Sequence, residues 1–309
     1  MTSLAPIVLF VYNRPWHTRQ TVEALKKNNL SDQSEFFIYS DGSKGAEDIT
    51  AVSNVREYLQ CIDGFKNVKI IEREQNLGLA QSIIQGVTEI IEQFKKVIVL
   101  EDDLVSAPFF LKYMNEALHF YERNQKIFSI TGYNHPPKLM KIPSGYPHDV
   151  YFNPRCMSWS WATWEDRWLK ADWEVKCFDQ FIRDRSAIKK FNRGGDDLTA
   201  MLRCQMSGTI DSWAIRWCFT HYLESAYCLY PIKAIISNIG FDGTGVHCGE
   251  DKNGNFENLL SDQVEEIRFT ETVCLHSELM KKARSIYKHN GIIMRIVGRL
   301  KCLYNRFIR

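Results

Sequence analysis

Val97-Ile98-Val99-Leu100-Glu101-Asp102-Asp103 sets four apolar residues directly before three carboxylates. A short, unbroken apolar run with a polar boundary is the pattern of a strand buried on both faces. In an open α/β sheet, ligands bind beyond the carboxyl ends of the strands, so this stretch predicts a strand that delivers an acidic cluster to a ligand site. Adjacent acidic pairs occur seven times in the chain, and the buried strand before the triplet, rather than the pairing, carries the signal. The plainer alternative is a solvated turn leading into the acidic first turn of a helix. Three carboxylates crowded at a sheet edge repel one another unless a cation or donor offsets the charge. A hard divalent ion that also grips a diphosphate would do so.

Outward from this strand the first 135 residues alternate in period. Strands are predicted at Ile7–Val11, Phe36–Tyr39, Val68–Ile71, Val97–Leu100 and Ile127–Thr131. Helices are predicted at Thr18–Asn28, Ile49–Ile62, Ala80–Phe94 and Pro108–Arg123. Strands alternating with crossover helices imply an α/β fold with a mostly parallel sheet covered on both faces. No G-x-G-x-x-G follows the first strand, so the dinucleotide fingerprint is absent. Three predicted strand ends carry polar residues: Asn13-Arg14, Asp41 and the acidic triplet.

Residues His135–Pro154 lose the alternation and read as a long loop. Beyond it, Trp159, Trp161, Trp164, Trp168 and Trp173 crowd into one short stretch, although the chain has eight tryptophans in all. They would form either a sugar-stacking platform or the packed interior of a smaller region. The chain therefore divides into 1–135, an α/β half; 136–280, a less regular half; and 281–309, a tail.

The 309 residues are 45% hydrophobic and 25% charged, with 17 Gly and 9 Pro, which excludes collagen-like, low-complexity and broadly disordered classes. No apolar run approaches the roughly 18–20 residues of a bilayer span. Ile7–Val11 is short and runs into Asn13-Arg14-Pro15, so it is expected to be a first strand rather than a secretory signal. The nine cysteines form no C-x-x-C pair, and free thiols in a reducing cytoplasm are expected.

The net charge of +2 hides an asymmetry: 281–309 holds nine basic residues and no acidic one. Apolar residues Ile286, Ile292, Ile293, Ile296, Val297, Leu300, Leu303, Tyr304 and Phe307 interleave with them at roughly helical spacing. A basic amphipathic segment of this kind lies on anionic lipid, each cation adding about 1 kcal/mol near the surface. The alternative is a terminal helix docked on its own body. No RNA-binding motif accompanies the cations, and nucleic acid is not expected as a partner.

Val99-Leu100-Glu101-Asp102-Asp103-Leu104, followed by Ala107-Pro108 and Phe109-Phe110, resembles the Glu-Asp-Asp form of the DxD motif in inverting GT-A glycosyltransferases of the N-acetylglucosaminyltransferase I kind. These are related in fold to the family 2 transferases. Pro6 to Pro15 is similar to the nucleotide-binding first strand, and Ser40-Asp41-Gly42 to the second-strand end, whose acid contacts uracil. Ile210-Asp211-Ser212-Trp213 resembles the segment with the catalytic base. Ile235 to Asn238, Gly240, Gly243 and Val246-His247 resemble the loop that closes over the donor. The likeness covers about residues 5 to 250, with the motifs in order; Cys156 through Trp168 departs from it, and the N-terminal anchor and stem of the Golgi enzymes have no counterpart.

The resemblance implies a GT-A fold, a nucleotide-sugar half at 1–135 and an acceptor and catalytic half at 136–280. It implies an inverting transfer from a nucleoside-diphosphate sugar, a UDP-sugar, to a glycan. Asp103 would hold Mn²⁺ or Mg²⁺, an all-oxygen site completed by phosphate. Glu101 and Asp102 would bond ribose and sugar hydroxyls or order the metal's waters, and Asn13, Arg14 and Asp41 would contact the nucleotide. Asp211 would be the base that deprotonates the acceptor, unless it only caps a helix; Glu165, Asp166, Asp196 and Asp197 are reserves. His247 would touch the diphosphate or the metal, unless it is structural, and Arg73 is a further phosphate candidate. A bacterial-type cytoplasmic enzyme, peripheral at the inner membrane face and acting on a lipid-linked glycan in surface polysaccharide synthesis, is the expected setting. Two alternatives stand beside it: a sugar nucleotidyltransferase, whose Gly-rich, Arg-containing loop is missing here, and a non-catalytic glycan-binding or scaffold protein.

Overall fold

A computed structural model describes residues 3–245, 258, 260 and 266–288. Its strands are β1 (Ile7–Val11), β2 (Glu35–Ser40), β3 (Asn67–Glu72), β4 (Lys96–Glu101), β5 (Leu104–Ser106), β6 (Ile127–Thr131), β7 (Val150–Asn153), β8 (Trp161–Trp164), β9 (Tyr227–Pro231) and β10 (Ile236–Asn238). The helices are α1 (Pro15–Lys26), α2 (Ile49–Leu59), α3 (Leu79–Phe94), α4 (Phe110–Tyr121), α5 (Glu165–Trp168), α6 (Phe178–Phe181), α7 (Arg185–Phe191), α8 (Leu198–Met206), α9 (Trp213–Leu223) and α10 (Ser277–Ile286).

The main sheet has the order β3-β2-β1-β4-β8-β6-β9-β7. β3, β2, β1 and β4 run parallel, β8 reverses, β6 and β9 return to the first direction, and β7 reverses again. The mostly parallel α/β sheet expected from the alternation is therefore present. β7, β8 and β9 all come from beyond residue 135, so one sheet draws on both sequence halves. The insertion of β8 between β4 and β6 was not legible, because Trp161-Ala162-Thr163-Trp164 reads as part of an aromatic cluster. A second sheet pairs β10 antiparallel to β5, with Asn238 opposite Leu104.

β1 shows why the run is unbroken. Ile7, Leu9 and Val11 pack on one face with Val22 and Leu25 of α1, while Val8 and Phe10 pack on the other with Ile83 and Val87 of α3. In α3 the buried residues Ala80, Ile83, Val87, Ile90 and Ile91 recur at helical spacing. Gly86 lets that helix close on the sheet: a Cβ there would stand 2.9 Å from the Phe10 ring.

Three of the five clustered tryptophans, Trp161, Trp164 and Trp168, are buried in a packed interior, while Trp159 and Trp173 are half-buried. Trp161 and Trp168 stack at 5.3 Å, Trp161 meets Trp213 at 4.9 Å, and Trp168 meets Trp217 at 5.2 Å. All four are buried, and the Trp168 indole N–H donates to Thr88 Oγ1 at 2.9 Å.

Seven cysteines lie among the described residues and all are free thiols. Among the described residues no helix is long and apolar enough to cross a membrane. The start of the basic tail is docked rather than free. α10 buries Leu279 and Ala283 against Tyr133, Met140, Tyr151 and Tyr230, and Arg284 pairs with Asp196 at 2.6 Å. Tyr287 lies under the Arg155 guanidinium, 3.7 Å from ring centre to Cζ. The remainder of the tail, 289–309, lies outside the described residues.

Candidate functional site

The sheet register assembles the three polar strand ends. Phe10 of β1 lies opposite Glu101 of β4, and Val11 lies opposite Ser40 of β2. Asn13-Arg14, Asp41 and the acidic triplet thus leave the sheet at one edge. Pro15 opens α1 with its φ preset for a helix, and this turns the chain so that Arg14 faces the triplet.

Arg14 binds both aspartates. Its Nη2 donates to Asp102 Oδ1 and, at 2.8 Å, to Asp103 Oδ2, and its Nε donates to Asp102 Oδ2 at 3.3 Å. The two aspartates are 5% and 6% exposed, yet Arg14 Nη1 is buried with no partner. Burial disfavours the Arg14 charge, but Asp102 and Asp103 more than offset this and raise its pKa. Glu101 is pushed up to about 8, by burial first and then by Asp103 and Asp102. Asp102 rises to about 6 through burial, against the pull of Arg14. The site is thus short of positive charge even with Arg14 in place.

The backbone of the triplet is fixed from two sides. Thr21 of α1 donates its hydroxyl to the Asp102 carbonyl at 2.7 Å and accepts from Leu104 N–H at 3.1 Å. Ile239 N–H, just after β10, donates to the Asp103 carbonyl at 2.9 Å. Next to it, Gly240 presses on the carboxylate: a Cβ there would stand 2.1 Å from Asp103 Oδ2. His17 Nε2 lies 3.1 Å from Asp242 Oδ2, which ties the segment after Gly240 to α1. Thr21, His17 and Asp242 were missed from sequence, and Gly240 was named only as part of a loop over the donor; the β5–β10 pairing is what brings Gly240 to Asp103 and Asp242 to His17. His247 lies outside the described residues.

Among the described residues no three His, Cys, Asp or Glu side chains converge as a ready metal cage. Mg²⁺ and Mn²⁺ do not require one, since one or two carboxylates suffice when phosphates and water complete the shell. Asp103, with Asp102 beside it and a side-chain-free approach at Gly240, fits that kind of ion.

The other nucleotide candidates have their polar atoms engaged within the fold. Asn13 Nδ2 donates to Asp48 Oδ1 at 2.7 Å, and Tyr12 O–H donates to Asp48 Oδ2 at 2.6 Å. Those two bonds hold the Asp48 carboxyl below its ordinary pKa. Asp41 accepts from the N–H groups of Gly42, Leu77 and Gly78 at 3.0–3.1 Å, clamping the turn before α3. Arg73 is bound to Ser82 and stacked 5.1 Å over the Tyr39 ring.

Asp211 lies two residues before Trp213, the first residue of α9. Trp213 touches Trp161, which lies opposite Val99 of β4, two residues before Glu101. Asp211 is not the helix cap: Ser212 is, its Oγ accepting from Ile215 N–H. The Asp211 side chain is 66% exposed and pairs with Arg216 at 3.1 Å. The reserves are engaged elsewhere. Glu165 pairs with Lys95 and Asp166 with Arg167 at the opposite, amino-terminal end of β4 and β6. Asp196 pairs with Arg284, and Asp197, 1% exposed, holds Arg155 through two bonds of 2.8 and 3.1 Å.

The chain is 25% identical over 319 residues to an alpha-1,3-mannosyl-glycoprotein 2-beta-N-acetylglucosaminyltransferase of Arabidopsis thaliana, covering 96% of this chain and 66% of the relative. Among solved structures, a mannosyltransferase from Pyrobaculum calidifontis in complex with GDP-Man and Mn²⁺ matches at 12% identity and a TM-score of 0.35, over 54% of this chain and 48% of that one. TarS of S. aureus matches at 13% identity and a TM-score of 0.33, over 73% and 36%. The chain spans about half or less of these two structures. The family model described as glycosyl transferase family 2 matches residues 7–191, from β1 through α7 and so across the acidic triplet. The chain belongs to glycosyl transferase family 2.

Proposed function

We infer that this chain is an inverting, metal-dependent glycosyltransferase that moves a sugar, an N-acetylhexosamine or hexose, from a UDP-sugar to a glycan hydroxyl. The observation that carries this reading is the Arg14–Asp102–Asp103 cluster at the carboxyl end of β4, with Arg14 Nη1 buried and unbonded. That guanidinium edge suits a phosphate oxygen. Asp103 would hold Mn²⁺ or Mg²⁺, which when bound supplies a Lewis acid for the departing diphosphate. Glu101 and Asp102 would bond ribose or sugar hydroxyls, and Asn13 and Asp41 would contact the nucleotide. His247 would complete the donor side.

Inversion needs a base on the face opposite the leaving group. Asp211 serves: it is exposed, so an acceptor hydroxyl can reach it, and Arg216 orients the carboxylate. The name of the plant relative supports an N-acetylglucosaminyl donor. The acceptor we favour is a lipid-linked glycan at the inner face of a bacterial membrane, with the basic segment 289–309 on anionic lipid. Liposome flotation of the full chain against a 1–288 truncation, which keeps α10, tests the membrane contact; equal binding sinks it.

The deciding experiment is a thermal-shift panel of nucleoside diphosphates with and without Mn²⁺, on the native chain and on Asp103→Ala. A stabilisation by UDP that needs Mn²⁺ and vanishes in the variant is expected. Absence of any metal-dependent shift refutes the donor site and favours a non-catalytic glycan-binding protein.

A further inference from the structure

We propose that Arg14 is an internal cation that occupies Asp102 and Asp103 while the donor is away and yields Asp103 to the divalent ion when a nucleoside diphosphate arrives, making metal and nucleotide binding mutually dependent. The proposal rests on the donor-site reading above.

Three features of the geometry point to it. Arg14 Nη2 bridges the two carboxylates, so the Oδ2 atom of Asp103 that faces Gly240 is also the one the guanidinium holds, at 2.8 Å. A metal ion binding at that oxygen meets the guanidinium directly, and two cations at one carboxylate oxygen repel. Next, Arg14 leaves Nη1 buried and unbonded. A guanidinium placed only to neutralise the pair would be expected to satisfy its fork, because an unmet buried donor is unfavourable. The free edge is what a phosphate oxygen would take. Last, the charge of the cluster changes sign with the metal: Asp102 and Asp103 against Arg14 leave one negative charge, a divalent ion alone turns this to one positive, and a diphosphate offsets that excess. Phosphate therefore gives Arg14 an alternative partner when the metal takes Asp103.

The coupling has a thermodynamic signature that needs no turnover. Titration of Mn²⁺ followed by electron paramagnetic resonance, with and without saturating UDP, reads it on the full chain. For the native protein UDP is expected to tighten Mn²⁺ by about tenfold or more, and Mn²⁺ to tighten UDP by the same factor, since linkage is reciprocal. Arg14→Gln removes the competitor. It is expected to bind Mn²⁺ alone about tenfold tighter than the native chain and to lose most of the coupling. Arg14→Lys keeps the charge without the fork and is expected to fall between the two; it carries the test if the Gln variant fails to fold by circular dichroism. Mn²⁺ binding to the variants no tighter than to the native chain, or an unchanged coupling factor, overturns the proposal. The donor-site reading fails differently: the native chain would then bind no Mn²⁺ even with UDP, or Asp103→Ala would bind it as well as the native chain does.

Discussion

Gly240→Ala isolates the closest approach at the candidate site. The added Cβ would stand 2.1 Å from Asp103 Oδ2, 2.9 Å from its Cγ and 3.1 Å from its Cβ, whereas an ordinary contact begins near 3.4 Å. Oδ2 must therefore retreat by 1.3 Å, or the segment at Ile239 and Gly240 must lift. The first movement breaks the 2.8 Å bond to Arg14, and the second breaks the 2.9 Å bond from Ile239 N–H to the Asp103 carbonyl. Overpacking of this size costs about 1–3 kcal/mol, a fall in melting temperature of roughly 2–10 °C for a chain this long. The functional cost is larger in proportion, because a displacement of about 1 Å at a reacting group loses on the order of a hundredfold. UDP affinity in saturating Mn²⁺, measured by isothermal titration calorimetry, and sugar transfer from a UDP-sugar are the assays. Gly145→Ala is the control, since Gly145 has φ +81° and nothing within 4 Å of an added methyl, so its strain reaches no ligand group. A Gly240→Ala protein with native Mn²⁺-dependent UDP affinity would show that Asp103 does not serve the donor.

The difference between what was legible in the sequence and what was not follows from range. β1 to β4 and their helices were readable because each is a local apolar run or stripe, and the parallel order brings their polar ends to one edge. Val97 to Asp103 therefore announced both the strand and the acidic cluster at its end. β8 was hidden because both its neighbours, β4 and β6, lie far back in the chain, and its four residues carry two tryptophans whose burial no local period reveals. Arg14 was named as a phosphate group, but its bridge to Asp102 and Asp103 spans 88 and 89 positions. Gly240 was part of a recognised loop, yet its contact with Asp103 exists only because β10 pairs with β5. Asp196 and Asp197 looked like spare bases, since nothing in a lone acidic pair tells that Arg284 and Arg155 reach it from elsewhere.

Asp211→Asn should lower transfer by about a hundredfold to ten-thousandfold while leaving Mn²⁺-dependent UDP affinity unchanged; activity within threefold of native removes Asp211 as base. Asp197→Ala leaves Arg155 buried without its carboxylate and should cost about 3–5 kcal/mol, read as a lower urea midpoint; an unchanged midpoint would mean that Tyr287 alone satisfies the guanidinium. Stability should also fall in mild acid, and the histidines give the sign. His221 is fully buried between Ser129 Oγ at 2.8 Å and the Trp217 carbonyl at 2.9 Å, and burial pushes its pKa down to about 4. His135 is likewise lowered to about 4, by burial first and then by Arg155. In the unfolded chain both titrate near 6.5. Between those values the unfolded state binds more protons, so their contribution is complete above pH 6.5 and is lost as pH falls toward 4. At pH 5 each histidine would favour unfolding by about 2 kcal/mol relative to neutral pH. Urea unfolding at pH 7.5 and 5.0 reads the sum, and His221→Gln should remove about half of the difference; a native chain equally stable at both pH values would mean that these rings are not held neutral by burial.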